Sequence, residues 1–78
     1  MSIRVAIVED EASVRENLAV LIGDAPGFSC VARCASAEAA WQELPKLTPD
    51  VVLMDIHLPG RSGIACVERL RKLLPQTQ

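Results

Sequence analysis

The sequence has no surplus of basic side chains: eight Lys and Arg stand against ten Asp and Glu, a formal charge of -2 over 78 residues. No basic face large enough to dominate phosphate-backbone binding is expected, so direct nucleic-acid binding by this segment is not implied. Long apolar runs are also lacking. No stretch approaches membrane-spanning length, and Met1-Ser2-Ile3-Arg4 has neither the basic segment nor the long apolar core of a signal peptide. A protein of the cytoplasm with no membrane partner is the expectation.

Cysteine is scarce and odd in number. Cys30, Cys34 and Cys66 sit within apolar patterns, which fits reduced core thiols rather than a disulfide framework. If the segment around Cys30 and Cys34 is extended, four residues separate the two by about 13 Å, too far for both sulfurs to reach one ion. Repeats and low-complexity segments are absent, and 78 residues with 50% hydrophobic side chains make at most one domain with a marginally sufficient core.

What is present is a regular alternation. Ile3 to Val8 is short, β-branched and nearly all apolar, as a central parallel strand covered on both faces would be. Val14, Leu18, Leu21 and Ile22 then recur at helical spacing, Ser13 and Glu16 read as a capping box, and the helix is expected to end near Gly23. After the turn Asp24-Ala25-Pro26-Gly27, Phe28 to Cys34 reads as a second strand. Ser36 offers an N-cap for a short helix carrying Ala37, Ala40, Trp41 and Leu44 on one face, closed by Pro45, with Trp41 as a core anchor.

Thr48-Pro49-Asp50 breaks the chain before a third buried strand, Val51 to Met54. From Gly63, the residues Ile64, Val67, Leu70 and Leu74 form a third apolar stripe opposite Glu68, Arg69, Arg71 and Lys72, and Pro75 ends it. The order β-α-β-α-β-α with short connections predicts an open, doubly wound α/β parallel sheet with helices on both faces. In such sheets ligands sit outside the carboxyl ends of the strands, at the point where the winding reverses.

Three carboxylates fall at such ends: Glu9 and Asp10 after the first strand, Asp55 after the third. Brought together they repel, and a hard cation offsets that charge. Magnesium suits the set, because it takes one or two carboxylates and a backbone carbonyl while keeping waters and a phosphate oxygen. Asp10 and Asp55 are the direct ligands in this reading, Glu9 acts through water, and the carbonyl of His57 completes the set. An aspartate beside that ion is a nucleophile for a phosphoryl group, and its product is an aspartyl phosphate.

Taken together, Ile7-Val8-Glu9-Asp10, the segment from Pro49 through Asp55 to His57-Leu58-Pro59-Gly60, and Gly63 resemble the receiver domains of bacterial two-component response regulators. The resemblance implies a flavodoxin-like fold with strand order 2-1-3. It implies that Asp55 accepts phosphate from a sensor histidine kinase, with Mg2+ held by Glu9, Asp10, Asp55 and the His57 carbonyl. Pro59, Gly60 and Gly63 shape the loop, and the His57 side chain tunes phosphoryl lifetime. Leu73-Leu74-Pro75 and the third strand look most like regulators with a helix-turn-helix output domain and transcriptional control.

Five β-α repeats characterise that family, and residues 1–78 hold the first three, so they are read as the N-terminal part of a receiver. The family's Ser or Thr after the fourth strand and Lys after the fifth have no counterpart in Thr48, Thr77, Lys46 or Lys72. The outer edge of the third strand is expected to be unpaired, which favours self-association. Two other functions compete: an interaction module that is never phosphorylated, and a magnesium-dependent phosphatase with an aspartate nucleophile. Against the phosphatase, the position two residues after Asp55 is His57 where such enzymes place a second Asp. A non-enzymatic phosphoacceptor is the leading expectation.

Overall fold

A computed structural model describes residues 2–54, 63–74 and 77–78, without the side chains of 63–66. Its elements run β1 (Ile3–Val8), α1 (Ala12–Asp24), β2 (Phe28–Cys34), α2 (Ala37–Leu47), β3 (Val51–Met54) and α3 (Gly63–Leu73). All three strands are parallel, in the order β2-β1-β3. The expected flavodoxin-like arrangement is what forms. β1 is central and its last four residues, Val5 to Val8, are buried, as its unbroken apolar run requires.

Alternation along β1 divides these residues between two faces. Ala6 and Val8 join Cys34, Ala37, Ala40, Leu44, Leu70 and Leu74 in the main core, under α2 and α3. Val5 and Ile7 face the other way, where α1 packs on β1 and β2. Leu53, the partner of Ile7 on that face, is 40% exposed.

β2 does not keep simple alternation. Its register against β1 skips Val31, so that Cys30 pairs with Val5 but Ala32 pairs with Ala6. This β-bulge reverses the parity of everything after it. Cys34 is thereby sent into the core while Arg33 turns to the α1 side and meets Glu16 at 2.7 Å. By the same register Cys30 and Cys34 lie on opposite faces of the sheet, which reinforces the expectation that they do not chelate one ion. The side chain of Cys66 lies outside the described residues.

Each helix corrects or refines a sequence expectation. α1 starts at Ala12, with Arg15 N–H donating to the Glu11 carbonyl, so Ser13 is already inside it. No capping box forms: the Ser13 hydroxyl donates to Glu11 Oε1 and Glu16 is drawn to Arg33 by a shorter, charge-assisted bond. The inward stripe of α1 is Arg15, Leu18, Ala19 and Ile22, and Leu21, expected to pack, is 67% exposed.

In α2, Ser36 caps as expected by accepting from Ala39 N–H at 3.1 Å. Pro45 does not close the helix, which continues to Leu47 and ends on Thr48. Proline forfeits its own donor and crowds the carbonyl four residues back, but the Thr48-to-Leu44 bond of 2.8 Å, with Leu44 fully buried, holds the last turn. Thr48 itself takes a left-handed conformation, φ 45° and ψ 61°, that favours glycine.

α3 buries Leu70 and leaves Glu68, Arg69, Arg71 and Lys72 exposed, as its stripe predicts. Arg69 lies over the Trp41 ring at 4.5 Å from the centroid, joining α3 to α2 by a cation–π contact. Just past α3, Leu74 is buried too. Pro75 and the side chain of Ile64 lie outside the described residues.

The outer edge of β3 is not wholly unpaired. Gln78 N–H donates to the Asp50 carbonyl at 2.9 Å, and the Gln78 carbonyl accepts from Val52 N–H at 2.8 Å. One residue bracketed by two positions of its neighbour in this way is the bonding pattern of a parallel ladder. Thr77 reinforces the junction through its hydroxyl, which donates to the Pro49 carbonyl at 2.6 Å.

Candidate functional site

The strand order fixes where the winding reverses. From β1 the chain passes to β2 on one side and then crosses to β3 on the other, so the crevice between the carboxyl ends of β1 and β3 is the switch point. Val8 and Met54 are register partners there, so both strands end level. Glu9 and Asp10 follow Val8 at this end, and Asp55 is the residue that follows Met54 in sequence.

Glu9 is held from several directions. Its N–H extends the ladder by donating to the Cys34 carbonyl at 2.9 Å, and its Oε2 accepts from Glu11 N–H at 3.2 Å. Its carbonyl accepts from Arg15 Nη1 at 3.0 Å, and the same nitrogen lies 3.4 Å from the Asp10 carbonyl. Asp10 is exposed and Glu9 half-buried, so the turn offers hard carboxylate oxygens to solvent at the sheet's edge. Such oxygens fit magnesium, whereas no thiol or imidazole shares the turn.

Of the other sequence-derived site residues, Gly63 is the first residue of α3. Asp55, His57, Pro59 and Gly60 lie outside the described residues. Among the described residues alone, no three His, Cys, Asp or Glu side chains assemble as a metal cluster.

Thr48 and Thr77 are engaged at the amino end of β3, far along the strand from its carboxyl end. Thr48 caps α2 and its carbonyl accepts from Arg4 Nη1, while Thr77 bonds to Pro49. Lys46 lies in the last turn of α2 and Lys72 in that of α3. None joins Glu9 and Asp10. The residue that sequence reasoning missed is Arg15, whose only signal was a basic side chain on the apolar stripe of α1. Among the described residues no helix is long and apolar enough to cross a membrane.

Similarity to known proteins is consistent from end to end. The family model for the response regulator receiver domain matches residues 5–78. The chain is 37% identical over 73 residues to a protein-glutamate methylesterase/protein-glutamine glutaminase of Burkholderia thailandensis, covering 94% of this chain and 21% of that protein. It is 41% identical over 68 residues to the transcriptional regulatory protein BtsR of Salmonella typhimurium, covering 87% of this chain and 28% of that one.

Among solved structures, a LuxR-family two-component response regulator from Aurantimonas superposes with a TM-score of 0.92 at 35% identity, over all of this chain and 56% of that one. The response regulator TrrA of Thermotoga maritima, solved in complex with Mg(2+)-BeF, gives 0.80 at 29% identity, over 92% of this chain and 60% of that one. The chain thus spans less than a third of either curated relative. With its parallel β2-β1-β3 sheet, its acidic β1 turn and a family match over nearly its whole length, the chain belongs to the response regulator receiver domain family.

Proposed function

We propose that residues 1–78 are the N-terminal part of a phosphoacceptor receiver in a two-component pathway, in which Asp55 takes a phosphoryl group from the phosphohistidine of a sensor histidine kinase. The observation that carries this reading is the level ending of β1 and β3, with Val8 beside Met54. In the reaction an Asp55 carboxylate oxygen forms a P–O bond as the P–N bond breaks, and the electron pair returns to the imidazole.

Glu9, Asp10, Asp55 and the His57 carbonyl would hold Mg2+, which supplies charge neutralisation at the transferring oxygens. Asp10 offers a direct ligand, Glu9 a water-mediated one. Pro59, Gly60 and Gly63 shape the loop that carries the His57 carbonyl. The relative solved with Mg(2+)-BeF supports this cation. The partner is the kinase, and the chain is not itself an enzyme acting on other substrates.

The output belongs to the rest of the protein. The BtsR relative and the Leu73-Leu74-Pro75 segment favour transcriptional control, and the methylesterase relative makes a hydrolase the alternative. A second reading, an interaction or self-association module without phosphorylation, is favoured by the exposed Val20 and Leu21 on α1 and Leu53 on β3. The test is intact mass after incubation with acetyl phosphate and Mg2+. One phosphate on the wild type and none on Asp55→Asn supports the phosphoacceptor; no phosphate on the wild type at saturating Mg2+ supports the interaction module.

A further inference from the structure

Arg15 is an odd residue for its place. It is the fourth residue of α1, its side chain is only 18% exposed, and it occupies the inward stripe beside Leu18, Ala19 and Ile22. A cation near a helix N-terminus opposes the positive end of the helix dipole. It would also repel a divalent ion held by Glu9 and Asp10. The dipole and a bound cation both disfavour a positive charge here, so the contacts its guanidinium makes are what distinguish it.

The geometry is specific. Helical side chains lean toward the helix N-terminus, so a long side chain at this position reaches back over the β1–α1 turn. Nη1 reaches the Glu9 carbonyl at 3.0 Å and the Asp10 carbonyl at 3.4 Å, the two residues whose carboxylates the cation would need. On its other side Nε faces Glu16 Oε2 at 3.7 Å, and Glu16 is anchored in turn by Arg33 of β2 at 2.7 Å. The guanidinium is thus braced by the sheet and spans both peptide units of the acidic turn. With the Glu9 N–H fixed to Cys34 and Glu9 Oε2 to Glu11 N–H, the backbone from which both carboxylates project is constrained from three directions.

We propose that Arg15 is a positioning residue for the divalent cation, preorganising the Glu9–Asp10 turn through its two carbonyl contacts. This rests on the magnesium reading above. Ligand-orienting partners of this kind typically change metal affinity by roughly 10- to 100-fold when removed.

The test is calorimetric titration of Mg2+ into metal-stripped full-length protein, comparing wild type, Arg15→Met, Arg15→Lys and Glu16→Gln, with thermal melts in EDTA as the control for folding. Positioning predicts a magnesium dissociation constant raised about tenfold in both Arg15 variants. Glu16→Gln should show a smaller rise in the same direction. Arg15→Lys is decisive, because it keeps the charge and loses the planar fork. If the Arg15 variants melt lower but bind Mg2+ as tightly as wild type, or Arg15→Met binds it more tightly, the role is overturned. Should Arg15→Met fail to fold, Arg15→Lys and Glu16→Gln carry the decision. A wild type that binds no Mg2+ at all overturns the magnesium reading itself, a different outcome from variants that match a binding wild type.

Discussion

Val8 of β1 and Met54 of β3 are register partners in neighbouring parallel strands, although 46 positions separate them in sequence. Their pairing makes one end of the sheet a place where segments from two distant parts of the chain emerge together. It is an edge that backbone hydrogen bonding sets, independent of any bound ion, and on it rests the proposed chemistry.

Magnesium dependence should divide Asp10 from Glu9. Asp10→Asn removes a proposed direct ligand and should raise the Mg2+ concentration for half-maximal phosphorylation by at least the roughly tenfold typical of outer-shell losses. Glu9→Gln, acting through water, should have a smaller effect. Titrating Mg2+ against acetyl-phosphate labelling measures both, and equal effects would contradict the division of roles.

His57 is proposed to contribute its carbonyl, which every residue type possesses. His57→Ala should therefore still accept phosphate while changing the lifetime of the aspartyl phosphate severalfold. Following loss of label after removal of the phosphodonor checks this, and complete loss of phosphorylation would contradict it.

Ser36 accepts a hydrogen bond from Ala39 N–H at the start of α2. Ser36→Ala should cost about 1 kcal/mol of stability, the usual value of a lost N-cap, whereas Ser36→Asp should retain most of it. Urea denaturation of the two variants is the measurement.

Thr48 carries a Cβ in a left-handed conformation, at a cost of about 1–2 kcal/mol relative to glycine. Its N–H donates to the Leu44 carbonyl and its carbonyl accepts from Arg4, and both are backbone groups that glycine keeps. Thr48→Gly should therefore stabilise the protein by about 0.5 kcal/mol after the greater chain entropy of glycine is subtracted. A lower urea midpoint for the variant would contradict that balance.

Much of the architecture was legible in the linear pattern. The nearly all apolar run Ile3–Val8, unbroken from Val5 on, names a strand buried on both faces, and Ser36 before Ala37 names a helix start, because both signals depend on neighbours in sequence. Capping at Ser13 and termination at Pro45 were misread for a shared reason. Each rested on a local preference of about a kilocalorie or a few, which other contacts could outweigh: the helix began two residues earlier, at Ala12, leaving Glu16 to bond Arg33, and the burial of Leu44 held the last turn of α2. Of the proposed site, the position of Glu9 and Asp10 after β1 was legible, but the contacts from Arg15 to their carbonyls were not.

The sequence by itself determined the alternation of strands and helices, the slight net negative charge, and the acidic residues that follow the apolar runs, since composition and periodicity carry them directly. Only the tertiary structure decided which ends meet, through the β2-β1-β3 order and the Val8–Met54 register. It also decided that a bulge at Val31 turns Cys34 inward and Arg33 toward Glu16, and that Gln78 joins the edge of β3. The physical reason is common to all of these. Strand pairing and side-chain bridges join residues far apart along the chain, and which of many compatible partners each takes is set by the packing of the whole sheet.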